Sequence, residues 1–368
     1  PNFITGVLST KPLVFVGLVS YSLYLWHWPL WVFANYALGA EPGLFLKCVL
    51  IVLSFLFAWG SLRFVEQPFR GKKHVFTRAR LFTIAIASMA LAIIAATALY
   101  ASKGLPQRYP ADVQVILRAA TLREPLRAHC FNLTPAAVRQ GKLCRIGDAH
   151  APLSFIFWGD SHADALMPGV AETARKNGKA GLFAAHAACP PLLGVGRQDA
   201  LKNHCQLFND AVLKAASRPD IGEVILAARW ARNAIGTTYG DASNVPAFIT
   251  DDQTKSPSFD ENKRVFVRGL DRTLAELQRL HKRVVIIGPV PEVSSNVPTT
   301  LARAKRDGRS LEIGPTMSAY HAREEFVLHT LSTLARKYGA TVLYPDRVLC
   351  GAAHCDVMKG NQPIYVYN

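Results

Sequence analysis

Long uncharged runs of apolar residues fill much of the first hundred positions, whereas apolar and polar residues alternate over shorter distances in the rest of the chain. A helix that crosses a bilayer needs about 20 mainly apolar residues. Three segments reach this length, at about 13–38, 44–62 and 81–100, and the third carries no charged residue. The pattern predicts three transmembrane helices followed by a soluble domain.

The loop between the second and third predicted helices, residues 63–80, holds six Lys or Arg and one Glu. By the positive-inside rule this loop is cytoplasmic. The third helix then carries the chain across the membrane, so we expect the residues after about 101 to lie on the opposite side.

In the soluble domain, β-rich apolar runs alternate with segments whose apolar positions recur every three or four residues. This alternation is typical of a parallel sheet covered by helices on both faces. Two stretches, 231–260 and 293–312, show no clear period and are predicted as loops. The predicted strands are 153–158, 180–185, 223–228, 283–288 and 340–345, and the predicted helices are 165–176, 261–281 and 316–338.

Six of the seven cysteines follow the third predicted helix. An even number on the exported side favours disulfides. Their order suggests the local pairs 130–144, 189–205 and 350–355, although sequence alone permits other connectivities. The alternative is a zinc site built from the Ala-His-Cys triplets at 128–130 and 353–355. Their spacing matches no compact zinc pattern, so we predict no metal.

The stretch FIFWGDSHADAL, residues 155–166, ends a predicted strand with Gly-Asp-Ser-His and then begins a helix. Ligands of open parallel sheets bind outside the carboxyl ends of the strands, and free N–H groups at a helix start can stabilise an oxyanion. Ser161 is therefore a candidate nucleophile, and the alternative is a helix N-cap. His162 is adjacent in sequence and cannot readily fold back on Ser161, so the base should come from elsewhere.

The Gly-Asp-Ser-His motif resembles the first block of the SGNH hydrolase superfamily. AACPPLLGVG (187–196) and VILAARWA (224–231) resemble the second and third segments of the SGNH domain that is fused to membrane O-acyltransferases. The resemblance implies transmembrane α-helices followed by an SGNH-hydrolase-like (flavodoxin-like) three-layer α/β domain with a parallel sheet. It also implies that Ser161 is the catalytic nucleophile.

The resemblance also suggests oxyanion-hole donors. The backbone N–H of Ser161 is one, and Gly194 is a second candidate, with a turn glycine as its alternative reading. The usual Gly-x-Asn-Asp block is replaced by AARWARN. Asn233 is therefore a substitute candidate, Arg229 or Trp230 could take the role instead, and each could equally be structural.

The membrane segments GLVSYSLYLWHWPLWVF (17–33) and RFVEQPFR (63–70) resemble the end of the acyltransferase-3 family. An ionisable residue within a membrane helix is a functional candidate by default, so His27 is assigned to the acyl path. The predicted division is an acyltransferase-3 end at 1–70, a basic loop and linking helix at 71–104, and an exported SGNH-like domain at 105–368.

This fusion resembles bacterial O-antigen acetylases, which implies a multi-pass protein of the bacterial inner membrane with residues after about 101 in the periplasm. The implied donor is acetyl-CoA, with no permanently bound cofactor. The implied acceptor is an envelope polysaccharide, such as lipopolysaccharide O-antigen, or a lipid-linked glycan, and membrane lipid is the other expected partner. The net charge is +16, but no basic stripe with interleaved aromatics is present, so no nucleic acid is expected.

Two alternatives stay open: a carbohydrate esterase of the SGNH type and a non-catalytic membrane-anchored glycan-binding domain. SGNH enzymes carry their base in a late Asp-x-x-His segment. Asp346, His354 and Asp356 follow the last predicted strand without forming that motif, and QPIYVYN resembles the lead-in to it. We therefore expect the catalytic Asp and His beyond Asn368, with His162 or His354 as the alternative base.

Overall fold

The computed structural model describes residues 6, 8–38, 42–70, 77–122, 124–197, 202–240, 245–309 and 311–366. The chain forms two compact units, Pro1–Arg108 and Tyr109–Asn368. The predicted three-part division of the chain stays a prediction.

The first unit contains three helices that are long and apolar enough to cross a membrane, as the sequence predicts. The second of these continues past its α-helical part as a π-helical turn, Leu62–Glu66. The helices of this unit are α1 (Lys11–Leu38), α2 (Leu44–Ser61), the short α3 (Gln67–Arg70) and α4 (Arg78–Ala101), followed by a 3₁₀ turn, Pro106–Arg108.

Helices α1 and α2 pack against each other through small and aliphatic residues. Val19 of α1 and Ala58 of α2 are fully buried in this contact. Nearby, the Ser22 hydroxyl donates a hydrogen bond to the Glu66 carboxylate at the end of the π-helical turn. The half-buried Glu66 carboxylate thus has a hydrogen-bond partner on the neighbouring helix.

The second unit is built on a six-stranded sheet with the order β1-β3-β2-β5-β7-β8. All five predicted strands are present and parallel, and their order is that of flavodoxin-like folds. The edge strand β1 runs antiparallel to β3 and was not predicted. The strands are β1 (Cys144–Gly147), β2 (Leu153–Gly159), β3 (Ala180–Ala185), β4 (Gly196–Arg197), β5 (Glu223–Ala227), β6 (Ile249–Thr250), β7 (Arg283–Ile287), β8 (Thr341–Leu343), β9 (Met358–Lys359) and β10 (Gln362–Pro363).

Helices cover both faces of this sheet, which gives the three layers that the resemblance implies. Phe155 and Phe157 of β2 face the helix that follows this strand, whereas Ile156 and Trp158 face the helices on the opposite side. The helices are α5 (Ala111–Ala119), α6 (Arg127–Cys130), α7 (Pro135–Arg139), α8 (Ser161–Lys176), α9 (Lys202–Ala216), α10 (Trp230–Ile235), α11 (Phe259–Arg279), α12 (Val297–Arg306), α13 (Met317–Tyr338) and α14 (Asp346–Leu349).

The two predicted loops are partly wrong. The stretch 231–260 contains most of α10 and the strand β6, and 293–312 contains α12. Asn296 caps α12 and Pro298 lies in its first turn, both of which favour a helix start. Its buried residues are Val297, Pro298, Ala302 and Ala304, and Ala302 packs against α5. Two of these four are alanines, so the stretch holds few large apolar residues from which a helical period could be predicted.

The three predicted disulfides are confirmed: Cys130–Cys144, Cys189–Cys205 and Cys350–Cys355. The cysteines of both Ala-His-Cys triplets are therefore bonded to sulfur, which leaves neither as a thiolate ligand for zinc. The first bridge ties the segment before β1 to the sheet edge.

Candidate active site

Ser161 is the first residue of α8, directly beyond the carboxyl end of β2, and its side chain is exposed. The N-cap is Asp160, whose carboxylate accepts a hydrogen bond of 2.8 Å from the backbone N–H of His162. The alternative that Ser161 caps the helix is therefore wrong. A hydroxyl at this position is available for chemistry at the edge where parallel sheets bind ligands.

Gly159 precedes this turn because β2 and β5 approach closely there. A Cβ at Gly159 would lie 1.8 Å from the carbonyl oxygen of Ala227 and 2.6 Å from the Cβ of Ala163. No side chain fits in this space. The glycine is thus required by packing rather than by the conformational freedom of a tight turn.

Asp160 is buried and connects the ends of β2 and β5. Besides capping α8, its carboxylate accepts hydrogen bonds from the backbone N–H of Arg229, at 2.9 Å, and from Asn233 Nδ2, at 3.1 Å. A carboxylate with several donors can stay charged while buried. Asp160 therefore fixes Ser161 relative to the turn that follows β5.

Ser161 lines a cavity of about 340 Å³ along the carboxyl edge of the sheet. The other walls come from His162, from Arg229 after β5, from residues 290–293 after β7, and from Pro345 and Leu349 near α14. Residues 364–366 also line it. Four successive parallel strands thus contribute their carboxyl ends to one site.

Glu292 and Arg229 form an ion pair in the wall of this cavity. The second carboxylate oxygen of Glu292 accepts a hydrogen bond of 2.8 Å from Arg323 Nε of α13. Burial alone would raise the pKa of Glu292, but the charges and hydrogen bonds of both arginines outweigh burial and lower it. Glu292 is therefore a charged group that links the cavity wall to α13.

Arg127 also lines the cavity and pairs with the buried Asp164, one turn after Ser161 in α8. It belongs to the segment held by the first disulfide. Sequence reasoning missed both Arg127 and Glu292. Arg127 carries no local signal, whereas Glu292 follows the carboxyl end of a predicted strand, a position that marks ligand sites in parallel sheets.

The two histidines considered as bases lie in different environments. His162 lines the cavity beside Ser161, and burial lowers its pKa. The positive charge of Arg229 lowers this pKa further. His354 Nδ1 instead lies 3.3 Å from a carboxylate oxygen of Glu312. Within the described chain, His354 is not among the residues that line the cavity.

The structure places the remaining site candidates as follows. Asn233 is buried in α10, and Trp230 donates its indole N–H to the Ile287 carbonyl oxygen at 2.7 Å. Gly194 has a φ of +66°, and a Cβ there would lie 3.1 Å from Arg272 Nε. None of these three residues is among the described residues that line the Ser161 cavity.

His27 lies in the first unit and lines a separate cavity between α1 and α2, together with Ser20 and Ser54. Its Nδ1 lies 3.0 Å from the Leu23 carbonyl oxygen, which is an acceptor only. Nδ1 therefore carries the hydrogen of this contact. Its assignment to an acyl path stays a prediction.

Ser161, Arg229 and Glu292 lie within residues 129–367, which match the family model of the SGNH domain (fused to AT3 domains). The chain belongs to this family. Its parallel sheet and the serine after the first parallel strand agree with that membership.

Curated relatives match over shorter stretches. O-acetyltransferase OatA of Staphylococcus aureus (strain NCTC 8325 / PS 47) is 48% identical over 66 residues, which cover 18% of this chain and 11% of OatA. A putative O-acetyltransferase of Staphylococcus aureus (strain COL) is 39% identical over 70 residues, 19% of this chain and 12% of the relative. The matched part is thus a small fraction of either relative's length.

Among solved structures, the periplasmic domain of the lipopolysaccharide acetyltransferase of Salmonella ser. Paratyphi A is similar to this chain. The two share 19% sequence identity, with a TM-score of 0.47, over 67% of this chain and 86% of that domain.

Proposed function

We propose that this protein is an O-acyltransferase that moves an acetyl group onto a hydroxyl of an envelope polysaccharide or lipid-linked glycan, with Ser161 as the nucleophile. The observation that carries the proposal is the exposed Ser161 at the start of α8, in a cavity formed by four parallel strand ends. The names of the similar proteins, O-acetyltransferase and lipopolysaccharide acetyltransferase, support the reaction class.

In the proposed reaction, Ser161 Oγ attacks the acetyl carbonyl carbon and its proton passes to a base. The carbonyl electron pair moves onto oxygen, where the Ser161 N–H can stabilise it, and the donor then leaves as the Ser161 ester forms. A sugar hydroxyl attacks this ester, loses its proton to the same base, and releases the serine. The identity of this base stays a prediction.

The membrane unit supports the source of the acetyl group. Three helices of spanning length and the basic loop before the third favour an arrangement with the second unit in the periplasm of an inner-membrane protein. The acetyl group would then come from cytoplasmic acetyl-CoA and cross the bilayer before it reaches Ser161. His27 is the proposed residue on that path.

Replacing Ser161 with Ala in the full-length protein tests the proposal. We expect O-acetyl groups on the envelope polysaccharide, measured by NMR, to fall to the level of a strain without the protein. The folded state should be preserved because Ser161 makes no capping hydrogen bond. Ser318→Ala, on the exposed surface of α13, is the matched control and should leave acetylation unchanged. Normal acetylation by the Ser161→Ala protein would exclude Ser161 as the nucleophile.

Incubating the unsubstituted protein with an acetyl donor and glycan tests the two other functions, a carbohydrate esterase and a non-catalytic glycan-binding domain. Transfer to sugar supports the transferase, whereas release of free acetate with no sugar ester indicates an esterase. Glycan binding that is unaffected by Ser161→Ala, without either product, indicates a binding domain.

A further inference from the structure

The side-chain amide of Asn233, a candidate oxyanion donor, already donates its N–H groups to acceptors within the protein. One N–H of its side-chain amide donates to Asp160 at 3.1 Å, and the other donates to the Arg229 carbonyl oxygen at 2.9 Å. Both partners are acceptors only, so rotating the amide would place its oxygen against a carboxylate. Asn233 therefore stabilises the turn after β5 and has no remaining amide hydrogen for a substrate oxygen.

Arg229 has donors that remain available in the Ser161 cavity. Its backbone N–H is bonded to Asp160, which places Arg229 beside the start of α8. Its side chain uses Nε to contact Glu292 and lines the cavity together with Ser161. Across the described ranges of the chain, its terminal Nη1 and Nη2 groups have no hydrogen-bond partner.

The surrounding residues hold the Arg229 side chain in place. Glu292 is buried and bonded to both Arg229 and Arg323, and Arg323 in turn donates to the Thr237 hydroxyl at 3.0 Å. Burial raises the pKa of the neighbouring Glu324 to about 8, so this carboxyl is mainly neutral at pH 7. Glu292 is thus the charged carboxylate that pairs with both arginine side chains.

We propose that Arg229 is a catalytic residue whose Nη groups donate hydrogen bonds to the oxyanion formed when Ser161 attacks the acyl carbonyl, and that Glu292 is the positioning residue that orients it. The inference rests on the proposed function. Arg229 transfers no proton: the Ser161 proton goes to the base, and the carbonyl electron pair moves onto the oxygen that Arg229 contacts. A fixed donor in a partly enclosed site stabilises this charge more than it stabilises the neutral carbonyl.

The test uses the full-length protein in membranes, with acetyl-CoA as donor and purified envelope polysaccharide of the source bacterium as acceptor. We expect Arg229→Ala to lower kcat about 100-fold or more, the effect typical of losing one oxyanion donor, while the acceptor KM changes little. Ethylguanidinium added to the Arg229→Ala protein should restore part of kcat. Arg279→Ala, on the exposed surface of α11, is the control for removing an arginine and should keep full activity.

Two further variants make the result decisive. Glu292→Gln keeps Arg229 but removes the charge that fixes it, so kcat should fall without rescue by ethylguanidinium. Arg229→Lys keeps the positive charge but loses the paired N–H donors of the guanidinium group. Its kcat tests the proposal if the Arg229→Ala protein does not fold. A kcat of Arg229→Lys equal to the wild-type value would overturn the proposal.

An acceptor KM that rises in Arg229→Ala at unchanged kcat would also overturn it, because Arg229 would then bind an anionic group of the acceptor. Ser161→Ala separates this inference from the proposed function. An inactive Ser161→Ala protein beside a fully active Arg229→Ala protein refutes only the role of Arg229, whereas activity without Ser161 refutes the proposed function itself.

Discussion

Glu324 of α13 is a buried carboxyl whose proton should make the stability of the second unit depend on pH. It is 1% exposed, and within the described chain its Oε2 has no hydrogen-bond partner. Burial, assisted by the negative charge of Glu292, raises its pKa from 4.5 to about 8. Replacing Glu324 with Gln keeps the shape and the polar atoms of the protonated acid but removes the titration.

The direction and size of the effect follow from proton binding. Between pH 4.5 and about 8 the folded unit keeps the Glu324 proton while the unfolded chain has released it, so the free energy of unfolding falls as pH rises. The stabilisation is complete below pH 4.5 and is lost as pH rises through 8. At about 1.4 kcal/mol per pH unit, this interval corresponds to a loss on the order of 5 kcal/mol.

Urea unfolding of the isolated unit 109–368 at a series of pH values from 5 to 9 measures this loss. The unit has its own hydrophobic cores and contains two buried tryptophans, Trp158 and Trp230, whose fluorescence reports unfolding. We expect Glu324→Gln to be close to wild type in stability at about pH 5 and more stable by roughly 4 kcal/mol at about pH 9. Glu325→Gln, exposed on the same helix, is the matched control and should parallel the wild type.

A stability difference between wild type and Glu324→Gln that stays constant over this pH range would refute the reasoning. It would mean that the carboxyl ionises alike in the folded and unfolded chains. Glu324 would then be charged at pH 7, in contrast to the neutral carboxyl inferred beside Glu292.

Two other perturbations have expected outcomes that urea unfolding of the same unit can measure. Gly159→Ala should destabilise the unit by about 3 kcal/mol or more, because the new Cβ would lie 1.8 Å from the Ala227 carbonyl oxygen. At Gly169 nothing lies within 4 Å of an added Cβ, so Gly169→Ala should instead stabilise α8 by about 0.5–1 kcal/mol. Equal effects of the two substitutions would contradict the packing argument. Replacing Cys189 and Cys205 together with Ser should lower stability by about 3 kcal/mol, given a sequence separation of 16 residues, and an unchanged midpoint would show that this bridge does not restrict the unfolded chain.

The parts of the fold that could be predicted are those whose buried residues follow one another regularly in the sequence. All six residues of β3 are buried, and α13 buries apolar residues at helical spacing between Tyr320 and Ala335. The helix α12 was not predicted because its contact is with α5, far away in sequence, and uses few apolar residues. Short elements that depend on a distant partner leave little periodic signal.

The candidate site likewise contains one residue that the sequence could predict and one that it could not. Ser161 could be predicted because a strand, a glycine and a helix start are consecutive in the sequence. The role of Glu292 could not, since it depends on Arg229 and Arg323, which lie 63 and 31 residues away in sequence. Its segment also shows no hydrophobic period that would place it in a buried wall.

The position of Asn233 explains why this site differs from the block pattern that its family resemblance implies. In Gly-x-Asn-Asp the asparagine follows the strand closely, whereas here Asn233 is one helical turn beyond Arg229 and donates to the Arg229 carbonyl oxygen. From there its amide also reaches the buried Asp160, which caps the helix that begins at Ser161. The same amide cannot serve both a buried carboxylate and a substrate oxygen. An asparagine displaced along the chain therefore becomes part of the structure that holds Ser161. The proposed side-chain donor to the oxyanion is Arg229, which lies nearer the strand end.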